Sequence, residues 1–244
     1  MTISLDTGRY TVDMATSAAD LRAAQRLRYE VFAEEMGARL DSPVSGLDAD
    51  RFDAYCDHIL VRDGAEVVGT YRLLPPGRTD RLYSDGEFDL RNLAPIRKGL
   101  VEAGRTCVHP DHRDGAVMAL MWAGIARYMT DGGHQWLAGC CSVPLDDQGA
   151  VAAAVVDQVP LGPEEYRVTP REPWRGRRGA ARGDRFVPPA LLRGYLRLGS
   201  WVCGAPAHDR DFGTADFFVL LSMARVNHRY LRYFLGETAQ GASR

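Results

Sequence analysis

The chain has 244 residues, of which 45% are hydrophobic, and its 30 Lys and Arg side chains nearly balance 32 Asp and Glu to give a formal net charge of -2. This length and apolar content can form one large domain or two small ones around a buried core, and we expect a single domain over residues 1–244. The near-neutral charge excludes the global basic field of a nucleic-acid-binding protein, so no nucleic acid is expected as a partner.

Cysteine usage and the beginning of the chain point to a reducing compartment. The five cysteines are odd in number, and they lack the C-x-x-C and His spacings of a zinc site, so we predict reduced thiols and no metal. Residues 1–16 lack the basic and apolar regions of a signal peptide, and no apolar run approaches the roughly 18 residues of a membrane span. A cytoplasmic chain is expected.

Hydrophobic periodicity predicts the first elements. An apolar stripe that follows Ser17 predicts a helix over residues 18–36. Apolar residues 59–61 and 66–74, which Asp63-Gly64 separates, predict a β-hairpin.

The middle of the chain predicts a parallel crossover. Residues 99–108 have an extended pattern that His109-Pro110 breaks, a helical pattern covers 116–129, and another strand follows over 136–143. Strand, loop, helix and strand in this order predict a right-handed connection between parallel neighbours, the centre of an α/β domain. Further on, the patterns predict a helix over 188–199, an apolar strand over 216–223 and a terminal helix over 225–235.

A polar turn joins the third extended segment to its helix. Gly115 permits a close backbone approach, Asp111 or Asp114 can cap the helix, and Arg113 adds a cation. The positive end of a helix suits a phosphate group, such as that of a phosphopantetheine arm. An ordinary turn with capping residues explains the same pattern equally well, so both interpretations stay open.

Charged side chains occur inside otherwise apolar elements. Arg72 and Arg105 need carboxylate partners if they are buried, and Asp50, Asp53 and Glu102 are available. A structural ion-pair network and a substrate site require the same residue types, so the residues alone leave both interpretations open.

Short motifs resemble two groups of acyltransferases. R-x-x-x-F at Arg28/Phe32, D-x-x-D at Asp50/Asp53, R-L-L at Arg72 and E-x-x-R at Glu102/Arg105 occur in the same order in the acyl-homoserine-lactone synthases. Longer stretches resemble the ornithine N-acyltransferases of ornithine-lipid synthesis more closely, namely LRYEVF at 27–32, FDAYCDH at 52–58, CVHP at 107–110 and LAGCCSVP at 137–144. The likeness covers about residues 18–235, and the chain is identified as a member of the GNAT superfamily.

The resemblance implies a fold and a reaction. The implied fold is α/β, or α+β in three layers, with the mixed central sheet of the GNAT fold flanked by helices. The implied reaction is attack of the α-amine of ornithine on the acyl-phosphopantetheine thioester of acyl carrier protein, with a fatty acyl or 3-hydroxyacyl group transferred to give lyso-ornithine lipid. Coenzyme A is the alternative donor, and no permanently bound cofactor is implied.

The resemblance also implies residue roles. Catalysis is assigned to Glu102 and Arg105, with Glu102 as general base and His109 and Asp57 as rivals for that role. The acceptor is expected at Arg28, Phe32, Asp50, Asp53 and Arg72. The donor is expected at Cys107, Val108, Arg113, Asp114, Gly115 and Ala116. The turn from Arg113 to Ala116 is shorter than is usual in the superfamily, and this favours a carrier protein over coenzyme A.

A basic patch with Trp174 inside it lies between residues 167 and 185 and contains seven arginines. It fits a solvated loop, a docking surface for an acidic acyl carrier protein, or peripheral contact with an anionic membrane at its inner face. Two other functions stay open. The acceptor can be another amino acid, a polyamine or S-adenosylmethionine, or the chain can be a non-enzymatic GNAT-shaped binding module that uses this loop.

Overall fold

The computed structural model describes residues 5–6, 8–176 and 186–226. The helices and strands in chain order are β1 Leu5–Asp6, β2 Tyr10–Met14, α1 Ala18–Tyr29, β3 Asp57–Asp63, β4 Glu66–Leu74, β5 Phe88–Asp89, β6 Leu100–Val108, α2 Ala116–Asp131, β7 Trp136–Pro144, α3 Ala150–Gln158, β8 Thr169–Pro170, α4 Ala190–Leu198, β9 Trp201–Val202, β10 Ala207–Asp209 and β11 Thr214–Ser222.

These elements belong to two compact units. The first contains the described residues as far as Pro75 together with Ala103–His134 and Val226, and the second contains Pro76–Glu102 and Gln135–Arg225. Strand β6 therefore begins in the second unit and ends in the first. The expectation of one domain stays a prediction.

The first unit contains the predicted hairpin. Strands β1, β2, β3 and β4 pair antiparallel with their neighbours in that order, and β6 follows β4 in the sheet. Gly64 turns the chain between β3 and β4 with a φ of +59°, a conformation that costs glycine little. The hairpin expected on either side of Asp63-Gly64 is confirmed.

Helix α1 begins where the sequence predicts. The Ser17 hydroxyl accepts the Asp20 amide at 3.1 Å and the Asp20 carboxylate accepts the Ser17 amide at 3.0 Å, which forms a reciprocal capping box. The α-helix ends at Tyr29, and a π-helical segment over Glu30–Glu35 continues it. The helix predicted over residues 18–36 thus has the correct extent, but its last part has the wider π-helical spacing.

Helix α2 packs on the strands of the first unit. Its first turn places Val117 against Gly69 of β4, where an added Cβ would lie 2.5 Å from a Val117 methyl group. Val117 and Met121 are fully buried at this contact. Close packing of the helix on β4 therefore depends on the absence of a side chain at Gly69.

The second unit contains the parallel pair. Leu100 to Glu102 of β6 pair with Trp136 to Ala138 of β7 in parallel, and β7 pairs antiparallel along its whole length with β11. Helix α3 contacts β7, and α4 contacts β11. The predicted crossover, the strand over 216–223 and the helix over 188–199 are confirmed as β6–α2–β7, β11 and α4, whereas the terminal helix predicted over 225–235 lies almost entirely outside the described residues.

Membrane-spanning helices are not found in the described ranges. None of the helices there has both the length and the apolar character that crossing a bilayer requires.

The contact at Gly69 gives a stability prediction. Gly69→Ala places a methyl group against Val117 in a packed core, so we expect the free energy of unfolding to fall by about 1–3 kcal/mol in urea denaturation. Gly86→Ala is the matched control, because an added Cβ there meets nothing within 4 Å. Equal stability of the two variants would contradict the packing role of Gly69.

Candidate functional site

Six charged side chains of the first unit form a closed ring in which arginine and aspartate alternate. They come from α1, the loop after it, the turn before β3, and strands β4 and β6. Around the ring, the N–O distances are 2.9 Å for Arg28–Asp48, 2.7 Å for Arg28–Asp53, 2.9 Å for Arg72–Asp53, 2.7 Å for Arg72–Asp50, 3.6 Å for Arg105–Asp50 and 3.4 Å for Arg105–Asp48. Every carboxylate of the ring thus has two arginine partners.

Four of the six members of the ring are buried, Arg105 and Asp50 are partly exposed with side chains at 14% and 18%, and the formal charges balance. Arg28 is 0% exposed, and Asp48, Asp53 and Arg72 are each at most 5% exposed. Unpaired charges at such depth would carry a large desolvation penalty, which the alternating partners offset. The partners that the sequence requires for Arg72 and Arg105 are therefore present, with Asp48 as an additional member.

Asp53 is the most heavily bonded member of the ring. Its two oxygens accept hydrogen bonds from Arg28, from Arg72 at 2.9 Å and from the Gln25 amide at 2.8 Å. Burial alone would raise the pKa of this carboxyl, but the Arg28 hydrogen bonds and the charges of Arg28 and Arg72 outweigh it and lower the pKa. Asp53 therefore carries its charge at all ordinary pH values.

His58 lies beside the ring on β3, opposite Arg72 of β4. It is 3% exposed, and its Nδ1 has no hydrogen-bond partner among the described residues. Burial and then the positive charge of Arg28 lower its pKa to about 4. His58 is therefore neutral in the folded protein near pH 7.

Arg105 interrupts the regular backbone of β6. Its φ is +50°, in the left-handed region that non-glycine residues seldom adopt. The side chain of Arg105 completes the ring between Asp48 and Asp50. Strain of this kind persists only where surrounding contacts impose it, and the two aspartates supply such contacts.

Glu102 has partners of its own in the second unit. One carboxylate oxygen accepts the Tyr83 amide at 2.6 Å, and the other accepts the Ser84 amide at 2.9 Å and the Ser84 hydroxyl. These donors belong to the turn Tyr83–Gly86, and Glu102 is 5% exposed. The carboxylate is thus held in one orientation, at the last residue of β6 that pairs with β7.

The turn before α2 uses its polar groups internally. Both guanidinium ends of Arg113 bind the Glu35 carboxylate, at 2.6 and 2.7 Å, and its Nε donates to the Val108 carbonyl at 3.0 Å. The Asp114 side chain accepts the Ala116 amide at 2.9 Å, and Gly115 has a φ of +97°. The Arg113 guanidinium and the Ala116 amide are therefore already hydrogen-bonded within the chain. Binding of a phosphate at this helix end stays a prediction.

The remaining predicted site residues are buried. Phe32, Cys107 and Val108 are each at most 8% exposed. Burial raises the pKa of Cys107 to about 12, and burial followed by the charges of Glu87 and Asp216 raises that of Cys140. Thiols of this kind remain protonated near neutral pH, which agrees with their interpretation as core residues rather than nucleophiles.

The described part of the basic patch borders a surface pocket of ≈ 490 Å³ in the second unit. Its lining residues are Arg171, Glu172, Pro173, Trp174, Arg175, His208 and Arg210. Arg177, Arg178, Arg182 and Arg185 lie outside the described residues.

Three residues that contact the predicted site residues, or lie near them, are not predicted from the sequence. Asp48 is one, although its place in a D-x-D-x-x-D stretch with Asp50 and Asp53 is a visible signal. Ser84 has no such signal, because its contact with Glu102 joins residues 18 positions apart through a loop. Asp216 does have a visible signal, because burial of a carboxylate within the apolar run of β11 costs free energy unless the carboxylate has a partner.

Comparison with known proteins gives a family and two full-length relatives. Residues 27–123 match the family described as Acetyltransferase (GNAT) domain. The chain is 35% identical to an L-ornithine N(alpha)-acyltransferase of Brucella abortus, over 94% of this chain and 90% of the relative. It is 34% identical to an L-ornithine N(alpha)-acyltransferase of Rhodobacter capsulatus, over 92% of this chain and 94% of the relative.

A solved structure shares the fold. The CoA-dependent acyl-homoserine lactone synthase BjaI, solved with SAM and isopentyl-CoA, matches with a TM-score of 0.53 and 17% identity, over 90% of this chain and 82% of that one. This likeness concerns the fold, and it confirms the expected GNAT-type mixed sheet flanked by helices.

The ring gives a first prediction for this site. Arg28→Ala leaves Asp48 and Asp53 each without one buried partner, so we expect the free energy of unfolding to fall by about 3–5 kcal/mol in urea denaturation. Arg127→Ala is the control, because Arg127 and Asp131 form an ion pair whose side chains are 47% and 45% exposed, and its loss should cost less than about 1 kcal/mol. Similar losses for both variants would contradict the structural role of the ring.

His58 gives a second prediction. Unfolding restores a pKa of about 6.5, so below that pH the unfolded chain binds a proton that the folded chain, with a pKa of about 4, does not bind. Stability should therefore fall as the pH drops from 7 to 5, with about 2 kcal/mol of that loss due to His58. His58→Gln should remove this part of the pH dependence of stability. His208→Gln, a substitution in the second unit, should leave the pH dependence unchanged. An unchanged slope in His58→Gln would rule out His58 as its source.

Proposed function

This chain belongs to the L-ornithine N(alpha)-acyltransferase family of GNAT-fold N-acyltransferases, and we propose that it acylates the α-amine of L-ornithine with a fatty acyl group from acyl carrier protein. A 3-hydroxyacyl group is the proposed form of the donor, and the product is then a lyso-ornithine lipid. The observation that carries this proposal is the near full-length identity of 34–35% to two acyltransferases named for ornithine.

The proposed chemistry is direct transfer. The unprotonated α-amine attacks the thioester carbonyl, a C–N bond forms, the C–S bond breaks, and the pantetheine thiolate leaves. Backbone amides near the interruption of β6 at Arg105 are the proposed donors to the oxyanion. Thiols with raised pKa, such as those of Cys107 and Cys140, support transfer without an acyl-cysteine intermediate.

Glu102 is the proposed general base. The amides of Tyr83 and Ser84 fix its carboxylate, which supports a role in which orientation matters. Its low exposure favours proton transfer through a single water molecule. Asp57 and His109 stay the rivals for this role. Each also accepts a hydrogen bond within the chain, Asp57 from the Tyr128 hydroxyl at 2.7 Å and His109 Nδ1 from the Asp111 amide at 3.3 Å.

The carrier-protein donor rests on two features. Arg113 is engaged by Glu35, so the turn before α2 offers less cationic character to the extra phosphates of coenzyme A. Arg171 and Arg175 beside Trp174 form an exposed basic surface that suits an acidic carrier protein, and Arg210 next to them is paired with Glu172 at 3.4 Å. Coenzyme A is the alternative donor, and an anionic membrane surface is the alternative partner of that surface.

The decisive test is a transfer assay. The full chain is incubated with 3-hydroxyacyl and unsubstituted acyl thioesters, each on carrier protein and on coenzyme A, together with a mixture of amino acids and polyamines, and the products are identified by mass spectrometry. We expect N-acylornithine, formed faster from the carrier protein. A product on a different amine alone would contradict the proposed acceptor, and preference for coenzyme A would contradict the proposed donor.

Glu102→Gln tests the base. A general base contributes about 10²–10⁴-fold, so kcat should fall by that factor, while the thermal unfolding midpoint establishes that the variant is folded. Glu66→Gln is the matched control, because Glu66 is an exposed glutamate at the start of β4. Unaltered turnover in Glu102→Gln would remove Glu102 from the mechanism.

A further inference from the structure

A second group of ionisable side chains lies in the second unit. Glu87 comes just before β5, Cys140 lies in β7 and Asp216 in β11, and one ligand atom of each lies within 4.8 Å of the others. Asp216 is 4% exposed, whereas Glu87 and Cys140 are half-buried. Ser142, two residues after Cys140 on the same face of β7, is exposed, so solvent reaches this face beside the group.

The negative charge of this group has no cationic partner in the described part of the chain. The charges of Asp216 and Asp209 act on Glu87, and the hydrogen-bond partners of Asp216 are the hydroxyl groups of Thr214 and Ser142 and the side chain of Glu87 itself. Burial and then the charge of Asp216 raise the pKa of Glu87 to about 9, and burial raises that of Asp216 to about 6. The charge ring of the first unit, by contrast, gives each of its aspartates two arginines.

One oxygen of Glu87 is left without a donor. Glu87 Oε2 is closed off from solvent and has no hydrogen-bond partner among the described residues. In the ionised carboxylate this oxygen is a buried acceptor without a donor, which is costly. This observation is independent of the charges, and it indicates a place for a donor that a ligand brings.

The group lies next to the proposed base. Cys140 is hydrogen-bonded to Glu87 and to the Ser84 side chain, and it experiences the charge of Glu102. Ser84 in turn holds the Glu102 carboxylate through its amide and its hydroxyl. One cysteine and one serine therefore connect Glu87 and Asp216 to the carboxylate that acts on the α-amine in the proposed reaction.

We propose that Glu87 and Asp216 bind the side-chain ammonium group of the acceptor and so select a diamino acid over a neutral amino acid. The inference rests on the proposed function and extends it, because it assigns the second amine of ornithine to named residues. The ammonium group supplies both missing elements, a positive charge and N–H donors for Glu87 Oε2 and for Asp216. Asp50 and Asp53, the aspartates that the resemblance assigns to the acceptor, already have two arginine partners each and offer it less.

The test compares L-ornithine with L-norvaline, which has the same number of carbons and no side-chain amine. The full chain and its Glu87→Gln and Asp216→Asn variants are assayed with one acyl carrier protein thioester. A hydrogen-bonded charge should be worth about 10- to 100-fold, so the ratio of kcat/KM for ornithine to that for norvaline should fall by this factor in each variant. Glu165→Gln, an exposed glutamate of the same unit, should keep the wild-type ratio.

A binding measurement supplies a readout other than activity. Near pH 7.5 Glu87 holds a proton that an incoming ammonium group displaces, with Asp216, Asp209 and Cys140 as the other titratable groups around it. Calorimetry in buffers of different ionisation enthalpy should show more proton release for ornithine than for norvaline, whose α-amine is the same. The excess should disappear in Glu87→Gln.

Each alternative has its own outcome. Acylation of ornithine with an unchanged ornithine-to-norvaline ratio in Glu87→Gln and Asp216→Asn overturns this inference and leaves the proposed function standing. Failure of the wild type to acylate ornithine in favour of a neutral amine overturns both. A stoichiometric metal ion in the purified protein that Asp216→Asn loses assigns the group to a metal instead. If Asp216→Asn does not fold, the half-buried Glu87→Gln decides the question.

Discussion

The closed ring of three arginines and three aspartates is the interaction on which the first unit depends. It ties α1, the loop that contains Asp48 and Asp50, the turn at Asp53 and strands β4 and β6 into one charge-balanced cluster. A hydrophobic contact at any one of these points would tolerate small shifts. The ring does not, because Asp48 or Asp53 would keep a buried charge with one partner fewer after the loss of an arginine. The ring therefore fixes the part of β6 that belongs to the first unit and contains Arg105.

The charged clusters of the two units differ in whether their carboxylates are paired with cations. In the first unit each aspartate of the ring is matched by two arginines, which supports a structural role for the ring, and binding of the acceptor by its residues stays a prediction. In the second unit Glu87 and Asp216 lie close together without a cation in the described residues. Burial raises the pKa of both carboxyls, and the charge of Asp216 adds to the rise at Glu87. Balanced clusters stabilise a fold, whereas strongly shifted pKa values in a cluster without a cation are typical of functional sites.

The sequence predicts local structure well where a physical signal is local. Ser17 and Asp20 begin α1, Asp63-Gly64 turns the hairpin, and apolar runs locate β7 and β11. The sequence also indicates that Arg72 and Arg105 need carboxylates. It does not indicate the order of the ring, because which aspartate meets which arginine depends on how a loop and two strands come together. Helix α3 escapes prediction, since Ala150–Gln158 has a largely small and apolar composition without a clear polar face. The contacts of Ser84 cannot be predicted from the sequence either, because a short turn has no hydrophobic periodicity.

Arg105 has a consequence for how this position can change in evolution. Glycine would adopt a φ of +50° without strain, yet it would remove the guanidinium that joins Asp48 to Asp50. Lysine would keep a charge but not the fork that reaches two carboxylates at once. The backbone and the side chain at this position therefore favour different residues, and only a residue that satisfies the aspartates can offset the conformational cost. A single substitution at position 105 should therefore be unfavourable unless Asp48 and Asp50 change as well.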